Sequence, residues 1–262
     1  MTVTHGYVDQ LPLLYDHVPL YKARRDVAFY VELAGESKGP VLEVGCGSGR
    51  ILIPTARKGI RIDGLDSSAA MLQRCATKLR EESDEMRSLV TLHEGSATQF
   101  DLGVRYGLIT APFRVLQHLL TIEEQLAFFG SVSRHLGPGG RVALDVFNPN
   151  FQALVAADGV EREDTPPTPL PDGRLFRRTG RVKRVRKVDQ VSEIELTYYL
   201  VNESGEETRY FVHTFDMRWY LRNELVLLVE RAGFQIEEIF GDFDSSPLTD
   251  DSPEIIVLAV RR

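Results

Sequence analysis

Apolar residues follow two different spacings along this chain, and the spacing changes near residue 150. Before that point, short apolar runs alternate with stretches in which an apolar residue recurs every three or four positions. The short runs predict buried strands, and the longer stretches predict amphipathic helices. A regular alternation of strand and helix is typical of an α/β fold built on a parallel sheet.

The first part of the chain carries five predicted strands and four predicted helices. The strands are expected at 41–44, 61–65, 88–94, 106–113 and 141–147. The helices are expected at 21–34, at 48–58, after Ser67 and after Thr121. Ser67 is the expected cap of its helix, and Thr121 with Glu124 forms a capping box. The buried stripes of these last two helices are expected to be Met71, Leu72, Cys75 and Leu79, and Ile122, Leu126, Phe129, Val132 and Leu136.

After residue 151 the alternation of strand and helix fails for about sixty residues. Residues 161–173 contain four prolines and are predicted to form a loop. The runs 174–188, 191–201 and 207–215 alternate with period two, which predicts an antiparallel three-stranded insertion. A helix at 219–232 and strands at 235–240 and 254–260 then complete the predicted elements.

A glycine-rich turn follows the first buried strand and is the strongest candidate for a ligand site. Gly45, Gly47 and Gly49 allow backbone angles closed to other residues and let a ligand approach the main chain. Asp66 ends the next strand about 20 residues later, where a carboxylate can accept both hydroxyls of a ribose. Arg50 occupies the third glycine position of a dinucleotide fingerprint, which disfavours a nicotinamide or flavin enzyme.

The turn and three later segments resemble a known family in sequence order. Residues 43–49, E-V-G-C-G-S-G, resemble the first motif of the class I S-adenosylmethionine-dependent methyltransferases, and 64–72, 94–97 and 136–140 continue the resemblance. It implies a doubly wound, mostly parallel seven-stranded sheet, the Rossmann-like methyltransferase fold, with an antiparallel last strand. It also implies methyl transfer of EC 2.1.1 type, with S-adenosylmethionine (SAM) as cofactor and S-adenosylhomocysteine (SAH) as product.

The same resemblance implies roles for individual residues around the cofactor. Glu43 would bind the methionine amino group, Asp66 the ribose, and Met71 the adenine ring. Ser96 stands where the family commonly has Asp, so its bond to the adenine amino group is expected to be weaker. The cofactor-binding residues are expected to be Glu43, Gly45, Cys46, Gly47, Asp66, Ser67, Met71, Ser96, Ala97 and Ala111.

The chemistry of the acceptor side is an in-line displacement at a sulfonium carbon, which mainly requires alignment and dehydration of the reactants. An amine need only arrive unprotonated, whereas a hydroxyl usually needs a base. His118 is the candidate base, because it follows the fourth strand and titrates near neutrality; it could equally be a packed or capping residue. Acceptor-binding residues are expected to be Tyr7, Tyr15, Phe113, Phe147, Tyr198 and His213.

Four segments are expected from this interpretation. Residues 1–38 form an N-terminal helical segment over the cofactor site, and 39–150 form the SAM-binding core. Residues 151–215 form the β insertion, which would wall the acceptor pocket as in the similar sugar-amine N-methyltransferases. Residues 216–262 return to the core with its last helix and two strands.

Charge and cysteine content exclude several other classes of protein. The net charge of −7 argues against a general nucleic-acid binder, and the two cysteines suggest neither a disulfide framework nor a zinc site. No metal is expected. No signal pattern or membrane span is recognisable, so a cytoplasmic location is expected.

One charged run leaves an alternative function open. Residues 174–187 carry eight basic residues and no acid, which suits an RNA backbone. Cross-strand pairing with Glu193 and Glu195 would explain the same run without RNA. A small-molecule acceptor with nitrogen or oxygen as nucleophile is favoured; a catalytically degenerate SAM-binding protein and an RNA-docking methyltransferase remain alternatives, and monomer and homodimer both stay open.

Overall fold

A computed structural model of the protein describes residues 3–5, 11–155, 159–202 and 205–262. Two compact units make up the described chain. The core unit comprises Arg25–Pro149 and Trp219–Arg262, and the β unit comprises the described residues up to Arg24 together with those of Asn150–Arg218.

Strands and helices are numbered in chain order. The strands are β1 Val3–His5, β2 Val41–Val44, β3 Ile62–Asp66, β4 Val90–Glu94, β5 Tyr106–Ala111, β6 Leu136–Phe147, β7 Arg162–Pro169, β8 Leu175–Arg186, β9 Val191–Val201, β10 Glu207–Arg218, β11 Phe234–Phe240 and β12 Glu254–Arg261. The helices are α1 Leu11–Tyr15, α2 Pro19–Lys22, α3 Asp26–Gly35, α4 Leu52–Arg57, α5 Ala69–Leu79, α6 Asp84–Arg87, α7 Ile122–His135, α8 Phe151–Val155 and α9 Arg222–Arg231. A short 3-10 helix spans Val115–His118.

The core unit is a seven-stranded sheet in the order β11-β12-β6-β5-β2-β3-β4. The neighbouring pairs among β2 to β6 are parallel, and β12 is antiparallel to both of its neighbours. Apolar residues of α7 and α9 pack on one face, and those of α3, α4 and α5 pack on the other. The predicted doubly wound fold with an antiparallel last strand is therefore confirmed.

Some helices of the core unit begin at residues other than the predicted ones, because the local backbone geometry sets where each helix begins. The helix expected at 48–58 begins only at Leu52, because the residues before it form the glycine turn. Ser68, not Ser67, caps α5, and its side chain accepts from the Met71 amide at 3.3 Å. The capping box of Thr121 is confirmed, but Ile122 is 51% exposed and lies outside the buried stripe of α7.

The helix predicted at 21–34 is also interrupted. It divides into α2 and α3, with the break at residues 23–25. The two parts fall in different units, since the boundary between the units lies after Arg24. The prediction of one continuous helix is therefore wrong, and the apolar spacing identifies only α3.

The β unit has two more strands than the predicted insertion. Its sheet order is β1-β10-β9-β8-β7, with β1 parallel to β10 and the other pairs antiparallel. The proline-rich stretch predicted as a loop forms β7 at the edge of the sheet, with register shifts around Thr165. An edge strand tolerates proline because one side of its backbone needs no ladder hydrogen bonds. Among the described helices, none has the length and apolar character to cross a membrane.

Candidate active site

The glycine turn after β2 lies at the carboxyl edge of the core sheet. All three glycines have positive φ, at 71°, 53° and 82° for Gly45, Gly47 and Gly49. A Cβ placed on Gly45 would lie 2.4 Å from Cγ2 of Val115, so that position is closely packed. A Cβ placed on Gly47 would meet no heavy atom within 4 Å. The turn therefore packs tightly at its start and borders open space in its middle, where a ligand can approach the backbone.

Asp66 fixes this turn to the end of β3. Its Oδ2 accepts from the Gly47 amide at 2.7 Å, and its Oδ1 accepts from the Ser68 amide at 2.8 Å. Burial raises the pKa of Asp66, while these backbone hydrogen bonds oppose the rise. Each carboxylate oxygen has two acceptor sites. Asp66 is thus able to hold the turn and still accept bonds from a ligand.

Glu43, near the end of β2, has a buried carboxyl oxygen without a hydrogen-bond partner among the described residues. The residue is 2% exposed, and the unpartnered oxygen is Oε2. Burial raises the pKa of Glu43 to about 8 against the pull of the Arg50 guanidinium. A buried, unpaired carboxyl oxygen is unfavourable, so this position suits a ligand that brings a donor or a positive charge.

Arg50 is held in place by Asp26, a residue that lies outside every sequence motif named above. Its guanidinium donates to both carboxylate oxygens of the fully buried Asp26, each at 2.6 Å. Its Cζ also lies 4.9 Å from the centre of the Phe113 ring. The glycine turn is therefore tied to α3 and to the segment after β5, through contacts between residues far apart in the sequence.

The other expected cofactor residues have mixed environments. Ser96 is exposed, and its hydroxyl bonds to Thr98 Oγ1 at 2.8 Å, while Ala97 packs against the core. Met71 and Ala111 are buried. The structure brings Glu43, the glycine turn and the end of β3 together at one edge of the sheet. Of the ten residues expected to bind the cofactor, four are buried: Glu43, Cys46, Met71 and Ala111. Burial raises the pKa of the Cys46 thiol.

Three expected acceptor-side residues lie in the core unit. Phe113 follows β5 and is half-buried beneath Arg50, and Phe147 ends β6 with the Arg114 guanidinium 5.3 Å from its ring centre. His118 ends the 3-10 helix and is exposed overall. Desolvation nevertheless lowers the pKa of His118, because it disfavours the charged form.

Three more of these residues lie in the β unit. Tyr15 is half-buried, with its ring centre 4.7 Å from that of Tyr21. Tyr198 and His213 are buried in the sheet, and Tyr198 stacks on Phe211 at 4.3 Å. Burial raises the pKa of Tyr198. Tyr7 lies outside the described residues.

The basic run on β8 is paired with carboxylates. Arg181 lies 2.6 Å from a Glu195 oxygen, and Arg186 lies 2.9 Å from a Glu193 oxygen. Arg177 makes a further pair with Glu207 at 2.7 Å. The cross-strand pairs expected with Glu193 and Glu195 are therefore present.

The comparison with known proteins agrees with the geometry of the core unit. Residues 42–142, which contain the glycine turn, Asp66 and strands β3 to β5, match a family described as "Methyltransferase domain". The chain carries a methyltransferase domain and resembles the class I SAM-dependent methyltransferases. SAM is therefore the methyl donor of the reaction, and SAH is the product left behind.

This methyltransferase domain and the segments around it are similar to other methyltransferases over most of the chain. The chain is 26% identical to dTDP-3-amino-3,4,6-trideoxy-alpha-D-glucopyranose N,N-dimethyltransferase of Streptomyces venezuelae, across 82% of this chain and 84% of that one. It is also 26% identical to the cypemycin N-terminal methyltransferase of a Streptomyces species, across 85% and 83%. The fold matches that of the CcbJ methyltransferase from Streptomyces caelestis with a TM-score of 0.78 at 24% identity, across 97% and 96% of the two chains.

Proposed function

We propose that this methyltransferase transfers a methyl group to an amine nitrogen of a small molecule, with an amino sugar as the first candidate, and that the glycine turn binds the donor. The observation that carries the donor site is the buried, unpartnered Oε2 of Glu43 beside the open space at Gly47. A ligand that presents an ammonium group and can lie against bare backbone satisfies both features.

SAM supplies a methyl group on a positively charged sulfur, and the nucleophile that takes the methyl group displaces SAH as a neutral thioether. Glu43 would accept a hydrogen bond from the ammonium group of the donor and would lose its proton as the positive charge arrives. Asp66 would accept from the ribose hydroxyls with its free acceptor sites while it holds Gly47. Met71, Ser96 and Ala97 are proposed to border the adenine. The remaining task of the chain is to align the acceptor and exclude water.

The proton-transfer requirements of the acceptor favour an amine nitrogen over a hydroxyl oxygen as the nucleophile. An amine has its own lone pair and needs only to arrive unprotonated, whereas a hydroxyl needs a base of suitable strength. His118 is the proposed base, and its lowered pKa makes it a weaker base than an ordinary histidine. A weaker base is less able to take the proton of a hydroxyl, which favours an amine that arrives unprotonated. The relatives named for sugar-amine and N-terminal methylation support the same choice.

The test begins with the donor and then turns to the acceptor. Calorimetric titration with SAM, SAH and NAD should show binding of the first two and none of NAD. Nucleotide-linked amino sugars and their hydroxyl counterparts are then incubated with SAM, and methylated products are detected by mass. Methylation of the amines alone supports the proposal. Binding of NAD alone would overturn the donor site, and methylation of the hydroxyl compounds alone would overturn the nitrogen acceptor.

A further inference from the structure

The segment that follows β5 has a strained backbone. Phe113 and Arg114 are consecutive residues with φ of 55° and 71°, and neither is glycine. Among the described residues only Gln190 and Ser245 share this property. A non-glycine residue in such a conformation costs roughly 1–3 kcal/mol, and it persists only where its surroundings hold it. Something in the core unit must therefore fix this turn.

Asp145 bonds directly to the strained backbone of this turn. It is fully buried near the end of β6, and its Oδ1 accepts from the Phe113 amide at 2.8 Å. The same oxygen accepts from the Tyr30 hydroxyl of α3 at 2.7 Å. Tyr30 is also buried, so the bond is shielded from water. One carboxylate oxygen of Asp145 thus accepts hydrogen bonds from both the strained Phe113 amide and the Tyr30 hydroxyl, and the tyrosine orients the carboxylate.

The strained turn is also in contact with the glycine turn. Val115 packs so closely on Gly45 that no Cβ fits between them. The Arg50 guanidinium, fixed by Asp26, lies over the Phe113 ring. A shift of the segment after β5 would therefore disturb the backbone that is proposed to bind the donor.

We infer that Asp145, oriented by Tyr30, is a positioning residue of the donor site, which holds the segment 113–118 in the conformation that supports the glycine turn. This inference rests on the proposed function, because it requires that the glycine turn bind SAM and SAH. Asp145 would act through the backbone of Phe113 and need not touch the ligand.

A second buried tyrosine–carboxylate pair in the same sheet provides a matched control. The Tyr106 hydroxyl donates to Asp63 Oδ2 at 2.7 Å, and both residues are buried. Asp63 lies near the beginning of β3 and Tyr106 begins β5, so this pair is at the amino edge of the sheet. Its removal should lower stability without reaching the glycine turn.

The test compares SAH affinity by calorimetry with the unfolding midpoint in urea for Asp145→Ala, Asp145→Asn, Tyr30→Phe, Asp63→Ala and Tyr106→Phe. Asp145→Ala should weaken SAH binding about tenfold or more, and Tyr30→Phe about threefold. Asp145→Asn keeps an oxygen for the Phe113 amide and should recover most of the affinity. The two control variants should lower the unfolding midpoint but leave SAH affinity within about twofold of the unsubstituted protein.

The outcomes separate this inference from the proposed function. If the unsubstituted protein does not bind SAH, the proposed function fails. If it does bind, equal affinity of Asp145→Ala overturns the inference alone, and so does an equal loss in the control pair, since the effect would then be general destabilisation. Should Asp145→Ala not fold, unchanged affinity of Tyr30→Phe overturns the inference.

Discussion

Glu43 carries its proton in the folded protein over a range of pH in which an exposed carboxyl group has lost it. Its pKa is about 8 in the fold and 4.5 in an exposed chain, with burial as the main cause. Between these values the folded state binds more protons than the unfolded state, so the free energy of unfolding falls as pH rises. Glu43→Gln removes this titration. The variant should be more stable than the unsubstituted protein by roughly 2–5 kcal/mol at about pH 8 and similar to it at about pH 4.5.

Urea unfolding of both proteins across this pH range measures the difference. Glu94→Gln, at the exposed end of β4, is the control, and its stability should follow that of the unsubstituted protein. The same loss of stability in Glu43→Gln would show that other groups cause the pH dependence. SAH affinity of Glu43→Gln should fall about tenfold, because the amide cannot offer a negative charge to the ammonium group.

Asp66 has two roles that one substitution removes together. Asp66→Ala should weaken SAH binding by about 1–3 kcal/mol through the lost bonds to the ribose. It should also lower the unfolding midpoint, because the Gly47 and Ser68 amides lose their acceptor. Glu94→Ala is the control, since Glu94 lies opposite Asp66 in the β3–β4 register. Calorimetry that gives unchanged affinity for Asp66→Ala would remove Asp66 from the donor site.

Substitutions in β8 distinguish whether its basic residues stabilise the sheet or bind a nucleic acid. Arg181 and Lys183 both face Glu195, at 2.6 and 3.6 Å. A double-mutant cycle of Arg181→Gln and Glu195→Gln should give a coupling of about 0.5–1 kcal/mol, because the arginine is partly exposed. Filter retention of labelled RNA should be negligible at physiological salt with or without Arg181→Gln. Salt-sensitive retention that the substitution abolishes would contradict charge pairing as the role of this strand.

Elements with a strong local signal were predictable from the sequence. The glycine turn, the capping box of Thr121 and the buried face of α5 each depend on residues within one or two helical turns of each other. The strand β7 was not predictable, because its prolines favour a loop unless the strand is known to be an edge. The position of β1 was not predictable either, since its partner β10 is about 200 residues away.

Some residues of the candidate site were predictable from the sequence, and others were not. The resemblance to a family indicated Glu43 and Asp66, which sit beside the motif. Asp26 and Asp145 were missed because their partners Arg50 and Tyr30 are 24 and 115 positions away. No periodicity or spacing marks a bond between such distant residues. Burial of an acid within an apolar run, as Asp145 has in β6, is the one signal that could have drawn attention to it.

Within the whole molecule, the proposed donor residues all lie in one unit, whereas the predicted acceptor residues are divided between the two units. The residues proposed to bind SAM lie in the core unit. Tyr15, Tyr198 and His213 lie in the β unit, where the Tyr198 hydroxyl accepts from a buried arginine, Arg178, at 3.3 Å. Arg178 is 2% exposed, and it donates to Asp164 at 2.8 Å and to the Tyr21 hydroxyl at 2.8 Å. Burial alone would lower the pKa of Arg178, but the two tyrosines and Asp164 raise it.

Substitution of this arginine tests how independent the donor site is of the β unit. Arg178→Met keeps much of the side-chain volume but removes the Arg178 hydrogen bonds to Asp164 and to the hydroxyls of Tyr21 and Tyr198. The Asp164 side chain is 29% exposed, so the loss should cost less than the roughly 3–5 kcal/mol of a fully buried ion pair. Hydrogen exchange should show lost protection in β8 and β9 and retained protection in β2, β3 and β5. SAH affinity should stay within about twofold of the unsubstituted protein, because the proposed donor residues lie in the core unit.

A clear fall in SAH affinity would have a specific meaning. Tyr21 belongs to the segment 1–38, which the sequence predicts to lie over the cofactor site, and Arg178 bonds its hydroxyl. Tyr21→Phe removes that bond and leaves the Arg178 pair with Asp164 in place. A loss of affinity in Tyr21→Phe as well as in Arg178→Met would assign part of the donor site to this N-terminal segment. A loss in Arg178→Met alone, with protection lost in β2 and β3 too, would instead show that the two units unfold as one.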